Sequence, residues 1–106
     1  MNNDELRPET VAGVGDKQIQ ILRDLLQTMC DALVDKPDGL TISCYQWGGI
    51  PERNFVFVIS VAKEEKGKLI GKKGQTIESI RTILRGAGKR SETRVSVAFE
   101  GEPIRE

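Results

Sequence analysis

Apolar residues in the first third of the chain recur every three or four positions, as they do along one face of an α-helix. This spacing holds for Ile19, Leu22, Leu26, Met29 and Leu33. The apolar stripe is widened by Ile21, Leu25 and Cys30. Asp16 is suited to cap the start of the helix, and the turn-forming residues 35–39 end it. The pattern therefore predicts one amphipathic helix that packs on a core.

Three later segments have the apolar pattern of β-strands instead. Residues 40–47 alternate, so we expect one buried face made of Leu40, Ile42 and Cys44. Residues 54–62 are almost continuously apolar, which is typical of an inner strand paired on both sides. Residues 94–99 alternate again and predict the last strand. The segment 47–54 is rich in turn residues and too long for a tight hairpin, so it is interpreted as a loop.

Between the second and third predicted strands the apolar spacing is that of helices. Residues 63–66 are interpreted as a charged connection, and residues 67–70 as a short helix that ends at Gly71. A longer helix follows Gly74, and its apolar face is formed by Ile77, Ile80, Leu84 and Ala87. We expect the core to include Ile70, Ile80 and Leu84.

The predicted order of elements is helix, strand, strand, helix, helix, strand, which is an α+β arrangement. It fits one small domain over residues 16–100 of the 106-residue chain. Residues 1–15 lack a sustained apolar period and are expected to form a flexible tail. Residues 101–106 are expected to form a short polar tail.

The candidate functional site is the sequence Gly-Lys-Lys-Gly at residues 71–74, between two predicted helices. A glycine lets the backbone turn sharply and approach a ligand closely, because it has no Cβ atom. The helix that starts after Gly74 offers N–H groups and the positive end of its dipole to an anion. Lys72 and Lys73 add mobile positive charge. The pattern predicts a small site for a phosphate backbone; the plainer interpretation is a helical corner with incidental lysines.

The distribution of charge agrees with a nucleic-acid site. The chain has 16 basic and 16 acidic residues, so its formal net charge is zero. Residues 63–94, however, hold ten basic and four acidic residues, a net charge of +6, whereas residues 1–62 carry −4 and residues 95–106 carry −2. The positive excess therefore lies around the Gly-Lys-Lys-Gly sequence. The alternative is that these residues only solvate a helix face.

The composition removes several kinds of catalytic and metal site. The chain contains no histidine, which is the commonest general base and a usual zinc ligand. Cys30 and Cys44 lack C-x-x-C spacing and are expected to be buried thiols, with a disulfide between them as the alternative. Residues 67–73 are one residue too short for a P-loop and lack its hydroxyl. We therefore expect no enzyme activity, no catalytic residue, no cofactor and no metal.

Nothing in the sequence indicates a membrane partner. No run approaches the roughly 20 apolar residues needed to span a bilayer. The chain does not begin with a basic stretch followed by an apolar core, so a signal peptide is not expected. The expected location is the cytoplasm.

The sequence Leu-Ile-Gly-Lys-Lys-Gly-x-x-Ile-x-x-Ile at residues 69–80 resembles the signature of a KH domain, an RNA-binding module built on a helix–GxxG–helix unit. Only one predicted strand follows this unit. The order therefore resembles the type II KH fold, α-β-β-α-α-β, with three helices on one face of a three-stranded sheet. The segments 32–37, 66–72 and 79–82 further resemble the small bacterial KhpA family of stand-alone KH proteins. The resemblance covers roughly residues 20–100.

The resemblance implies a protein that binds single-stranded RNA, of the RNA chaperone or post-transcriptional regulator type. The RNA is expected in a groove between the GxxG turn with its two helices and the last strand. The RNA-binding residues implied by this match are Lys68, Leu69, Ile70, Gly71, Lys72, Lys73, Gly74, Gln75, Thr76, Ile77 and Arg81. Arg81 has the alternative role of solvating its helix.

The same resemblance implies pairing between proteins. The expected partners are a second copy of the chain, giving a homodimer, or a larger KH protein related to Jag, giving a heterodimer. The alternative function is a KH-fold interaction or assembly module without significant RNA binding.

Overall fold

The computed structural model describes residues 17–47 and 53–102. Its elements, in chain order, are α1 (Lys17–Leu33), β1 (Thr41–Trp47), β2 (Asn54–Ser60), α2 (Lys63–Ile70), α3 (Gln75–Lys89) and β3 (Arg94–Phe99), with short 3-10 turns at Pro37–Gly39 and Lys72–Gly74. The predicted α+β fold and its order of elements are confirmed. The N-terminal tail, the Asp16 cap and residues 48–52 and 103–106 lie outside the described residues, so the expectations for them stay predictions.

The three strands form one sheet in the order β1-β2-β3. The central strand β2 is antiparallel to β1 and parallel to β3, as its almost continuous apolar sequence requires of an inner strand. Parallel neighbours need a long crossover connection, and α2 with α3 supplies it between β2 and β3. This crossover carries the Gly-Lys-Lys-Gly sequence.

One face of the sheet carries the hydrophobic core. Across this face Cys44 stands opposite Phe57, and Phe57 stands opposite Val97. Side chains from all three helices belong to the same buried cluster, among them Leu22, Leu26, Leu69, Ile77, Ile80 and Leu84. Each large apolar side chain buried in this way contributes about 1.5–3 kcal/mol. The expected burial of Leu40, Ile42, Ile80 and Leu84 is confirmed, and Ile70 packs partly buried against the cluster.

The apolar stripe predicted for α1 is correct at its start and wrong at its end. Ile19, Leu22 and Leu26 are buried, but Leu33 is 39% exposed and Val34, the next residue, is buried instead. The buried line continues from Leu26 by steps of four, through Cys30 to Val34. The prediction that Ile21 widens the buried stripe is also wrong, since this residue is 59% exposed.

The prediction that residues 63–66 form a connection is wrong, because these residues are the first turn of α2. The carbonyl of Ala62 accepts the N–H groups of Glu65 and Lys66, each at 2.9 Å. Glu64 and Glu65 are in the first turn, where negative charge is favourable to the helix dipole. This turn has no apolar stripe, so periodicity did not indicate it.

Both cysteines are buried and no disulfide joins them, which confirms the expected buried thiols. Burial, together with the negative charge of Asp31, raises the pKa of Cys30 to about 11. The Cys30 thiol is therefore protonated at neutral pH, and a protonated buried thiol is unreactive.

Candidate nucleic-acid interface

The Gly-Lys-Lys-Gly turn (residues 71–74) has a backbone conformation that few residues adopt. Gly71 ends α2 at φ 76° and ψ 176°, and Gly74 precedes α3 at φ 74° and ψ 12°. Lys73 also has a positive φ, 55°. The turn is closed by two hydrogen bonds, from Gly71 N–H to the carbonyl of Gly67 at 2.9 Å and from Gly74 N–H to the carbonyl of Gly71 at 3.1 Å.

The two glycines are needed for different reasons. A Cβ atom on Gly71 would lie 2.1 Å from Oγ1 of Thr76 and 2.6 Å from its Cβ, so the start of α3 packs directly on this glycine. A Cβ atom on Gly74 would meet nothing within 4 Å. Gly74 is therefore favoured only by its left-handed backbone, whereas Gly71 is required by its backbone and by contact with Thr76.

The two lysines of the turn present their side chains to solvent. Lys72 and Lys73 are both exposed, and neither forms an ion pair with any residue that the structure describes. Lys73 is held in the left-handed region, which costs a residue with a Cβ atom about 1 kcal/mol. Strain of this kind in an exposed turn is typical of functional sites rather than of packing.

Lys68, another expected RNA-binding residue, is engaged within the protein. Its ammonium contacts the carboxylates of Asp35 and Glu65, at 2.5 Å and 3.1 Å. The hydrogen bond and charge of Lys68 lower the pKa of Asp35, and the two carboxylates raise the pKa of Lys68 in return. In this conformation Lys68 joins α2 to the segment that follows α1.

Glu65 is the centre of this connection. It is 5% exposed, and its carboxylate accepts the backbone N–H of Asp35 at 2.7 Å. Burial by itself raises the pKa of Glu65, but hydrogen bonds from the Asp35 backbone and the Lys68 ammonium outweigh it, so the pKa is lowered. Glu65 and Asp35 were missed as supports of the site. The spacing of Glu65 and Lys68 is that of a helical ion pair, but Asp35 is 30 residues away from Glu65 in the sequence.

The remaining expected site residues divide by burial. Leu69 and Ile77 are buried in the core, and their expected role in RNA binding stays a prediction. Ile70 and Thr76 are half-buried, and Gln75 is exposed. Lys72, Lys73 and Gln75, in the turn and at the start of α3, are therefore exposed at the surface.

Arg81 bridges the helix and the last strand. Its guanidinium donates from Nε and Nη2 to the carbonyl of Val97 in β3, at 3.2 Å and 3.1 Å. It also contacts the carboxylate of Glu78 at 3.2 Å. Arg81 thus lies between the two expected walls of the groove, and both interpretations of this residue, as an RNA contact and as part of the helix surface, stay predictions.

The described residues give no indication of a membrane segment or a metal centre. Among them no helix is long and apolar enough to cross a bilayer. Nor do the cysteine, aspartate and glutamate side chains of residues 17–47 and 53–102 form a group of three that could hold a metal ion.

Comparisons with known proteins agree on one family. A family model described as "KhpA/KhpB, KH domain" matches residues 23–99. A protein of Clostridium acetobutylicum named RNA-binding protein KhpA is 36% identical over 76 residues, which are 72% of this chain and 96% of that protein. A protein of the same name from Chlamydia pneumoniae is 36% identical over 81 residues, which are 76% of this chain and 99% of that protein. The protein of that name from Bacillus subtilis is 34% identical over 76 residues, 72% and 89% of the two chains. No solved structure matches the chain.

Proposed function

The chain belongs to the KhpA/KhpB family of KH domains, and from this premise we propose that it binds single-stranded RNA without catalysis. The proposed contact is the Gly-Lys-Lys-Gly turn, which holds the sugar-phosphate backbone. Each relative compared above is named as an RNA-binding protein, and each aligns with this chain over most of its own length.

The observation that carries this proposal is the state of the two lysines. Both are exposed and without an ion-pair partner among the described residues, while the neighbouring Lys68 is held by two carboxylates. Lys73 keeps a left-handed backbone although glycine would relieve the strain. A strained, unpaired lysine on a helix-initiating turn is explained by an anion that binds there.

Binding at the turn combines two kinds of interaction. The lysine ammonium groups neutralise phosphates and release their counterions, which makes the affinity depend on salt. The first turn of α3 adds the positive end of the helix dipole. Neither interaction reads the identity of a base, so the turn fixes the position of the strand rather than its sequence.

A site with so few phosphate contacts gives modest affinity, which pairing raises through avidity. We propose that the chain pairs with itself or with a larger Jag-related KH protein, and that its biological role is that of an RNA chaperone or post-transcriptional regulator. Ile21 and Ile83 support pairing, because they leave large apolar side chains exposed on α1 and α3.

The proposal is tested with the double variant Lys72→Ala/Lys73→Ala and a single-stranded RNA oligonucleotide. Each lost phosphate contact lowers the slope of log K against log salt by about 0.7, so we expect a decrease of about 1.4. The matched control is Lys36→Ala/Lys63→Ala, which removes two exposed lysines outside the turn and should leave the slope unchanged.

A second variant separates loss of binding from loss of folding. Lys73→Gly removes one charge and also removes the left-handed strain, so RNA affinity should fall while the melting temperature stays the same or rises. Fluorescence anisotropy and thermal unfolding measure the two effects. Wild-type salt dependence in the double variant would refute the proposed site.

A further inference from the structure

We propose that Asp35 is a built-in competitor of RNA, because its carboxylate occupies the position on the Lys68 ammonium that an RNA phosphate would take. This inference rests on the proposed function and adds a masked phosphate contact next to the Gly-Lys-Lys-Gly turn. The contact is closed by Asp35 in the free protein and opens when the strand displaces that carboxylate.

The masked lysine lies directly before the turn. Lys68 is in the last turn of α2, and Gly71, which ends the helix, is three residues further on. At 1.5 Å per residue this separation is about 4.5 Å along the helix axis. The proposed phosphate contacts Lys72 and Lys73 follow at once. Lys68 is therefore placed to meet the phosphate next to the one that the turn binds.

The two carboxylates that hold Lys68 differ in exposure. Nζ of Lys68 donates to Oδ2 of Asp35 at 2.5 Å and to Oε1 of Glu65 at 3.1 Å. The Glu65 side chain is only 6% exposed, whereas the Asp35 side chain is 76% exposed. Glu65 therefore holds the ammonium from within the fold, and Asp35 covers it toward solvent. A ligand that arrives from solvent meets the Asp35 carboxylate first.

The Asp35 side chain can move away without loosening the segment after α1. The backbone N–H of Asp35 donates to Oε2 of Glu65 at 2.7 Å, and this bond does not involve the Asp35 carboxylate. Asp35 itself lies between the end of α1 and the 3-10 turn at Pro37–Gly39. A change of side-chain rotamer at Asp35 thus releases Lys68, while Glu65 keeps both the ammonium and the Asp35 backbone in place.

An RNA phosphate can replace this carboxylate on chemical grounds. Both groups are anions that accept hydrogen bonds, and a lysine ammonium binds either of them as a point charge. The hydrogen bond and charge of Lys68 lower the pKa of Asp35, so its carboxylate is ionised at neutral pH. It repels a phosphate near Lys68 until it moves away. Displacement of Asp35 therefore opposes binding, and the chain binds RNA more weakly than its lysines alone would allow.

The test is Asp35→Asn, assayed with the same single-stranded RNA as the turn variants. Asparagine keeps the backbone N–H and removes the competing charge, so the affinity at 50 mM salt should rise about two- to fivefold, the range of exposed ion pairs. In wild type the displaced carboxylate attracts a cation, which offsets counterions released by the phosphate. The variant lacks this offset, so its salt slope should be steeper by at most about 0.7. This slope corresponds to about 2.6-fold between 50 and 200 mM salt, so most of the gain should disappear at 200 mM.

The matched control is Asp38→Asn. Asp38 is exposed in the same segment and has no ion pair with any described residue, so this variant removes an equal charge without freeing Lys68. Its affinity should change much less than that of Asp35→Asn. The melting temperature of Asp35→Asn should stay the same or fall, because the variant loses an ion pair. Tighter binding without added stability excludes a better-folded protein as the cause.

A double-variant cycle shows whether the gain acts through Lys68. Lys68→Gln should weaken binding more in the Asp35→Asn chain than in wild type. In the Lys68→Gln chain, Asp35→Asn should give no gain beyond that of Asp38→Asn. Thermal unfolding checks that each variant is folded. Should Lys68→Gln not fold, the single variants Asp35→Asn and Asp38→Asn decide the question by themselves.

The outcomes separate this inference from the proposed function. If Asp35→Asn binds RNA no more tightly than Asp38→Asn, or keeps its gain when Lys68 is replaced, Asp35 is not a competitor. If that happens while Lys72→Ala/Lys73→Ala loses binding, only this inference fails. If the turn variant binds like wild type, the proposed site at the turn fails, and the Asp35 variants still decide this inference on their own.

Discussion

The two glycines of the Gly-Lys-Lys-Gly turn should respond very differently to the same substitution. Gly71→Ala introduces a Cβ atom 2.1 Å from Oγ1 and 2.6 Å from Cβ of Thr76, and 3.0 Å from the Thr76 backbone nitrogen. Gly74→Ala introduces a Cβ atom with nothing within 4 Å. Both positions have a positive φ, so the backbone contribution is present in both and the steric contribution only in the first.

The magnitudes follow from these contacts. At φ 76° and ψ 176° Gly71 is in a region that only glycine populates, which costs alanine about 1–3 kcal/mol. The clash with Thr76 forces a shift of the first turn of α3 and adds about 1–3 kcal/mol. Gly74, in the ordinary left-handed region, costs alanine about 1 kcal/mol. We therefore expect a free energy of unfolding lower by about 4 kcal/mol for Gly71→Ala and about 1 kcal/mol for Gly74→Ala.

Urea and thermal unfolding measure this difference. For a domain of this size about 1 kcal/mol corresponds to 4–8 °C in melting temperature, so Gly71→Ala should lose well over 10 °C. Gly67→Ala is the matched control, because Gly67 is in α2 with open space around it and a helical backbone. It should be neutral or stabilising. Equal losses for Gly71→Ala and Gly74→Ala would refute the assignment of different roles to the two glycines.

The remaining predictions concern α3 and the ion pairs of α2. Gly86→Ala should stabilise the protein by about 0.5–1 kcal/mol, because a Cβ atom at this position meets nothing within 4 Å. Gly88→Ala should destabilise the protein by about 2 kcal/mol or more, because a Cβ atom there lies 2.5 Å from the carbonyl oxygen of Thr93. Unfolding curves that rank the two variants in the opposite order would contradict this prediction. Because its folded-state pKa is lowered, Glu65 contributes stability that is present above its unfolded pKa of about 4.3 and is lost as pH falls further. Glu65→Gln should therefore have a lower urea midpoint than wild type at pH 7, and its midpoint should decrease less than that of wild type between pH 7 and pH 3. If the midpoint of the variant decreases as much as that of wild type, this carboxylate is not a source of the acid sensitivity.

The parts of the fold that periodicity predicts are those whose burial is decided locally. The strand β2 and the helix α3 have apolar patterns long enough to fix both type and orientation. The helix α2 does not, because its buried residues are Leu69 and a carboxylate, Glu65. The first turn of α2 is held by a hydrogen bond from the backbone N–H of Asp35 to Glu65, and β1 and β2 lie between these two residues in the sequence. No local pattern contains that partner.

The candidate site divides in the same way. The Gly-Lys-Lys-Gly turn is a local structure, so its glycines and exposed lysines were predictable from their spacing. Lys68 and Arg81 have equally basic side chains, but their partners are Asp35 and Val97, which are 33 and 16 residues away. A sequence shows how many cations surround a turn, and tertiary structure decides which of them are free to bind a ligand.

These two distant contacts also explain how the turn keeps its strained backbone. On one side, Glu65 and Lys68 fix α2 to the segment after α1. On the other, Arg81 fixes α3 to β3. With both helices held, the four residues between them have little freedom to relax, so the left-handed conformation of Lys73 is imposed by the fold. A glycine at this position would make the protein more stable by about 1 kcal/mol, but it would remove the charge. We infer that the lysine is present because its charge contributes more to binding than the strain costs in stability.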